Sequence, residues 1–435
     1  MRKLIILLHF AVSAALMCFA EDGDGVLQAS KGGDYTPVPW DEIFRINFST
    51  ADSSMIISGY DGTETVVPFN NSIHIPSGTT IPLLKITTEE SLEEIPDKEN
   101  YKAASLTLRS FDHSDDIVAD VSIRGRGNSS WLFEKKPYRL KFNKKISLGG
   151  LPKAKSYVLL ANYTDTSLLQ FAVATKIGQM LELPYTNHVV PVDVVFNGIY
   201  KGSYILTNKP GINSGSVDID EESSVMWELD VNYDEDMKFT SPRLNLPVML
   251  ADPDMDEETF EKWKADFIEM ERAALNMKAA DLVDMEVFAK YLLVYEIMGV
   301  DEIGYPKSVK LFKTASAKYI FGPIWDFDVA MGYRWEQGIS YSTDRINEPV
   351  WRNPLFKFLE RDSLAKNFRR QYWNLMKDRL PELLEYIDNY AATIRSSAYR
   401  NLGIWPKAYG DFDESVEKMK AWLVLRFNAL EEIIK

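Results

Sequence analysis

Three short stretches of the chain carry residue types that could do chemistry. The first is IRGRGNSSWLFEKKPYRLKF, Ile123 to Phe142. Arg124 and Arg126 alternate with Gly125 and Gly127, and Asn128, Ser129 and Ser130 follow as a small polar loop. Glycines let a backbone approach a ligand closely, and the amides of residues 128–130 could line a phosphate. In YRLKF, strand alternation puts Arg139 and Lys141 on one face and Tyr138, Leu140 and Phe142 on the core face. Cations one strand away from a glycine turn suit a strongly anionic ligand, a nucleoside triphosphate before others. A hairpin with a solvated basic face has the same composition, and a glycine-rich loop alone is a weak signal.

The second stretch is GPIWDFDVAMG, Gly322 to Gly332. A strand is expected to end at Trp325, so that Asp326 and Asp328 lie on one side of extended chain. A divalent cation relieves the repulsion of two such carboxylates, and oxygen ligands suit Mg²⁺. A turn whose aspartates cap the next element is the plainer alternative. The third stretch is GVDEIGYPKS, Gly299 to Ser308, between a helix and a strand. Asp301 or Glu302 there could accept a hydroxyl proton or bind a metal. Taken alone, it reads as acidic solvation of a helix end.

The elements that must position these groups follow from composition and periodicity. The chain has 435 residues, a formal charge of −15 and 46% hydrophobic residues. That is enough apolar material for a full core, and the acidic balance argues against general nucleic-acid binding without excluding a local basic pocket. Four histidines and one cysteine in no zinc-like spacing speak against a zinc site. Residues 1–20 read as a secretory signal peptide: Arg2 and Lys3, an apolar run, and cleavage after Ala20. The expected location is therefore exported (periplasmic, cell-surface or secreted), with no transmembrane span in the mature chain. Lipidation at Cys18 is the second reading of this segment.

Residues 21–80 are expected to be a loose segment with strands leading into a main domain, 81–435. Its first part, to about residue 250, reads as short strands and turns. HVVPVDVVFNGIYKGSYILTN is a hairpin turning at Asn197-Gly198. Leu169, Val173, Ile177 and Leu181 fall at helical spacing after Thr164 or Asp165 as the cap. From about residue 254 the chain reads as helical, with stripes at Phe260, Trp263, Phe267 and Met270 and at Phe288, Tyr291, Leu292 and Tyr295. A strand pair around residues 308–328 interrupts the helices, and a last helix carries Val416, Met419, Leu423, Phe427 and Leu430. The class is α+β, with a β-rich N-terminal half and a helix-rich C-terminal half.

Glycine loop, cation-bearing strand, helix, hairpin, helices, carboxylate loop, strand, D-x-D: protein kinases deploy their parts in this order, although no H-R-D or D-F-G is present. The segments IRGRGNSSW, KKPYRLKF, LPKAKSYVLLANYTD, LPYTNHVVPVDVVFNGIYKGSYILTN, YLLVYE, YPKSVKLFK and GPIWDFDVAMGY resemble the spore coat protein H (CotH) kinase family, from about Ile81 to Asn374. The resemblance implies a kinase-like two-lobed fold that binds ATP and Mg²⁺ or Mn²⁺. It implies Asp326 and Asp328 as metal ligands and Asp301 or Glu302 as the catalytic acid. It implies Arg139 or Lys141 on phosphates, beside Arg124, Arg126, Gly127, Asn128, Ser129 and Ser130. The acceptor would be a Ser, Thr or Tyr hydroxyl of an exported protein. Two departures stand out: Thr207-Asn208 replaces the family's Thr-Glu, and Gln170-Phe171 replaces its Arg-Asn. A degenerate envelope scaffold is the alternative, with Trp131, Trp335 and Trp351 serving a partner or glycan instead of the core. A hydrolase with paired carboxylates would need acids on opposite sides of a substrate, which Asp326 and Asp328 do not suggest.

Overall fold

The structure is a computed structural model, and it describes residues 81–434 with their side chains, apart from 91, 110–115, 335–339, 350–352 and 406–410. Before residue 81 it describes only strand backbone. The expected signal segment, Cys18, the loose segment to residue 80, and Trp335 and Trp351 lie outside the fully described residues.

The β-rich half comprises β1 (Leu83–Thr88), β2 (Lys102–Arg109), β3 (Ile117–Gly125), β4 (Tyr138–Ile146), β5 (Ala154–Leu160), α1 (Gln170–Met180), β6 (Val190–Phe196) and β7 (Ile199–Asn208). It continues with β8 (Ser224–Leu229), β9 (Lys238–Thr240) and β10 (Pro247–Asp252). The helical part follows: α2 (Glu257–Leu275), α3 (Met285–Met298), the short pair β11 (Val309–Thr314) and β12 (Ile320–Phe321), then α4 (Pro354–Leu359), α5 (Ser363–Asp378), α6 (Leu380–Ile404) and α7 (Phe412–Ile433). Seven strands form a barrel-like sheet in the order β3-β4-β5-β7-β6-β1-β2, and five form a second sheet, β9-β10-β8-β11-β12. The chain is thus α+β, β-rich first and helical later. Among the described residues no helix is long and apolar enough to cross a membrane.

The chain divides into two compact units. One contains the residues to Glu94 together with Ser105–Val118 and Asp193–Lys201. In it β1 pairs in parallel with the end of β6, Leu83 opposite Asp193 through Ile86 opposite Phe196. The Asn197-Gly198 turn has φ of 46° and 82°, the doubly left-handed geometry a two-residue hairpin needs.

The other unit holds Ile95–Ala104, Ala119–Val192 and Gly202–Lys435. Its antiparallel run β3-β4-β5-β7 follows the alternation read from sequence. Ile123, Tyr138, Leu140, Tyr157 and Leu159 are buried on one face, and the arginines take the other. Neither cap candidate holds the N-cap of α1, which is Leu169 without a side-chain cap bond; Asp165, four residues earlier, accepts from the Gln170 amide at 2.8 Å. Thr164, the other cap candidate, donates instead to the Asp328 carbonyl at 2.8 Å. Asp256, Asp284, Asp362 and Asp411 cap α2, α3, α5 and α7 by accepting from backbone amides. Gly299, at φ 63°, ends α3, where the left-handed cap favours glycine.

α3 is the buried axis of the helical part. Its Glu296 is fully buried and accepts from Arg369 of α5, Nε to Oε2 at 2.8 Å and Nη2 to Oε1 at 2.5 Å. Arg426 of α7 donates to the Glu296 carbonyl at 2.7 Å. Removing one partner of a buried ion pair leaves the other charge uncompensated. Arg369→Met is expected to lower the unfolding free energy by about 3–5 kcal/mol in urea denaturation. A loss below about 1 kcal/mol would show that the pair does not tie α3 to α5.

Candidate active site

Within the second unit a cavity of about 570 Å³ opens between the arginine face of β3-β4-β5 and the loops after α3 and β12. Arg124, Arg126, Gly127, Asn128, Ser129, Ser130, Arg139, Glu302, Asp326 and Asp328 all line it. Residues 200 apart in sequence thus meet. Lys141 and Asp301 do not line it. Lys141 points to the exposed end of β4, its ammonium 5.7 Å from the Tyr101 ring. Asp301 is half exposed and accepts from Arg345 Nη1 at 2.7 Å.

The cations stand in rows set by strand register. Arg124 lies directly opposite Arg139, and Arg139 opposite Val158. Ser122 lies opposite Lys141, and Lys141 opposite Ser156. Arg126 is past the end of β3, its amide donating to the Pro137 carbonyl at 3.2 Å and its guanidinium 5.4 Å from the Trp325 ring. Like charges directly opposite on a sheet destabilise it. Here Arg124 and Arg139 face each other, and the Nε of each is buried without a hydrogen-bond partner. Burial lowers the Arg139 pKa, with Arg124 working in the same direction. Burial lowers that of Arg126 too, while Asp326 and Asp328 pull it back up.

The loop between β3 and β4 corrects one expectation. A Cβ on Gly125 would fall 2.4 Å from the Trp131 ring and 2.9 Å from the Asp97 carbonyl. The close approach that glycine permits is therefore by Trp131, which packs half-buried here, and not by a ligand. Gly127 keeps the turn role, at φ 84°. Asn128 is held from both sides: Lys98 donates to its Oδ1 at 3.1 Å, and its Nδ2 donates to Asp234 at 3.2 Å.

The carboxylate side is also built differently from the expected strand end. β12 stops at Phe321, and Asp326 adopts φ 67°, so the D-x-D sits in a turn. Burial, then the neighbouring Asp326 and Glu302 carboxylates, push Asp328 up to about 8. Asp326 also accepts from the Ser308 hydroxyl at 3.2 Å. The turn is clamped all round. Tyr295 donates to the Trp325 carbonyl at 3.1 Å, the Ala330 amide donates to Gln170 at 3.1 Å, and Met331 N donates to Met298 O at 2.7 Å. Glu302 is tied to Lys307 at 2.6 Å; burial raises its pKa, Asp326 adds to this, and Lys307 opposes it.

Several lining residues were not singled out from sequence. Lys310 and Glu228 are register partners on β11 and β8 and form an ion pair. Asp230 accepts from the Ser308 amide at 2.9 Å. Lys209 follows β7, and Asp252 and Glu235 are the acidic groups that act on its ammonium. The available signal was a charged residue inside an apolar strand, Glu228 in SVMWEL and Lys310 in SVKLFK.

Among the described residues no group of three or more His, Cys, Asp or Glu side chains is arranged to hold a metal. Asp326 and Asp328, with the Ser308 hydroxyl, make a partial oxygen set. That fits Mg²⁺, which is held by one or two carboxylates plus phosphate oxygens and water.

The cavity thus has arginines on one wall and a pair of carboxyls on the other. The chain belongs to the CotH kinase protein family, whose profile matches residues 123–430. No curated protein matches it.

The raised Asp328 pKa fixes a pH dependence. Its neutral form is favoured by folding, so its contribution is complete below about pH 4, near its unfolded value, and is lost as pH rises through about 8. In chelator, Asp328→Asn removes that loss. The stability difference, variant minus wild type, should therefore grow from pH 4 to 8 by at most about 1 kcal/mol per unit, because the carboxyl still meets the cavity. A difference independent of pH in urea titrations would contradict the raised Asp328 pKa.

Proposed function

We propose that the chain is an exported atypical protein kinase with a kinase-like two-lobed arrangement, transferring the γ-phosphoryl group of ATP to a hydroxyl of an exported partner protein. The observation that carries this is the Arg124–Arg139 pair. Two guanidiniums placed opposite each other, with buried unpartnered Nε atoms, are stable neighbours when an anion lies between them. The family match supports the kinase class. Export rests on the signal-like residues 1–20.

In this reading Arg124, Arg126 and Arg139 orient the triphosphate, with the amides of 128–130 at its edge. Asp326 and Asp328 hold Mg²⁺ or Mn²⁺, which when bound neutralises charge on the phosphate oxygens. Glu302, inside the cavity, takes the acceptor's proton. Its raised pKa brings it nearer neutrality, which suits a general base. The acceptor oxygen forms a bond to the γ-phosphorus as the bond from that phosphorus to the β–γ bridging oxygen breaks. ADP leaves, and the hydroxyl proton passes to Glu302. Asp301, tied to Arg345, is a positioning group for this loop. That same contact favours the second reading, a degenerate scaffold that keeps the fold and binds nucleotide weakly or not at all.

Calorimetry of ATP binding to the purified protein with Mg²⁺, with Mn²⁺ and with chelator separates these readings. Metal-dependent binding that Asp326→Ala abolishes is expected. Label should then pass from γ-phosphate to protein acceptors, and Glu302→Gln should cut the rate by about 10²-fold or more while sparing affinity. Binding without transfer would mark the scaffold. No binding by folded protein under either metal would sink the kinase reading and leave a scaffold that uses no nucleotide.

A further inference from the structure

The mechanism above leaves the cavity cation Lys209 unused. Lys209 lies just beyond β7, and its amide donates to the Ser156 carbonyl at 3.2 Å. Thr207 pairs with Val158, so Lys209 extends the row of Lys141 and Ser156. That row is one step beyond the Arg124–Arg139 row and two beyond Arg126. On strand rise, Lys209 is roughly 14 Å along the sheet from the Arg126 row, at the end away from the D-x-D. The apolar lining at this end comes from Pro210, Val158, Met249 and Ala251. Asp252, which follows Ala251, is engaged by the Ile212 amide. Lys310 is engaged by Glu228. Lys209 thus stands beside these apolar residues, with Glu235 and Asp252 the acidic groups that bear on its ammonium.

We propose that Lys209 recognises the nucleoside end of the ligand, donating to the base or ribose held between Pro210, Val158 and Ala251, while the arginine rows hold the phosphates. The inference rests on the nucleotide reading and deepens it, making Lys209 a specificity-determining residue and not a phosphate clamp. Position along the sheet is the reason. A triphosphate anchored at Arg126 and the D-x-D runs over Arg124 and Arg139 first, and only what is attached to it reaches the third row. Burial, with Arg139 adding and Asp252 and Glu235 opposing, brings the ammonium down to about 8, so part of it is a free amine near pH 8.

The test compares ATP with inorganic tripolyphosphate, both with Mg²⁺, on the full chain. In calorimetry, Lys209→Met should weaken ATP binding about tenfold or more and leave tripolyphosphate within about twofold. On the wild-type protein, acylation of Lys209 at pH 8, read by peptide mass spectrometry, should be slowed by ATP and not by tripolyphosphate. This second arm decides the matter if the variant does not fold. Equal effects with both ligands would overturn the inference and make Lys209 a phosphate cation. No effect with either, while ATP still binds, would overturn it and leave the nucleotide reading standing. A wild-type protein that binds neither ligand removes that reading and this inference together.

Discussion

The site depends on one electrostatic constraint: unlike charges that want each other are kept on opposite walls. Arg124 and Arg139 sit in register on adjacent strands without an acidic partner, and the Asp326 and Asp328 carboxyls line the same cavity beside each other. In ordinary structural ion-pair networks these groups would have met. Elsewhere in the same cavity they do, as Lys310 with Glu228 and Lys307 with Glu302. The separation is costly to the empty protein. The proposed nucleoside triphosphate, anionic and able to bind divalent cations, would answer it.

Much of the surrounding architecture serves to hold that separation open. The D-x-D turn is fixed from three directions by Thr164, Gln170 and Tyr295, and the Phe171 ring packs edge-on against Trp325 at 5.3 Å. Gln170 and Asp165 work together here: Asp165 accepts from the Gln170 amide, and the Gln170 side chain reaches from the first turn of α1 to Ala330. The family departure Gln170-Phe171 thus retains a structural job at the back of the turn. Behind it, α3 is locked by the Glu296–Arg369 pair and by Arg426. A turn with a left-handed aspartate keeps its geometry only in such a frame.

Periodicity made the fold class, the hairpin turn and most helices readable, because alternation and apolar stripes are local signals. Tyr138, Leu140 and Phe142 are buried as alternation requires, and Asn197-Gly198 turns the hairpin. The grouping of Arg124, Arg126 and Arg139 with the D-x-D was legible from motif order. What was not legible depends on register and long-range contact. Sequence cannot show that Lys141 falls outside the cavity, that Asp301 turns to Arg345 while Glu302 turns in, or that Gly125 makes room for Trp131. Lys209 was hidden for the same reason. Its meaning comes from two strands that lie beside it, not from its neighbours in the chain.

The account's central claim is that the arginine row is strained without ligand and useful with it. Thermal unfolding of wild type and Arg139→Met, each with and without Mg²⁺ and ATP, tests this most directly. The prediction is a ligand-free variant at least as stable as wild type, because the like-charge pair is relieved, and a ligand-induced rise in Tm confined to wild type. A ligand-free variant clearly less stable than wild type, or one that keeps the full ATP-induced rise, would contradict it and make Arg139 an ordinary structural residue of the sheet.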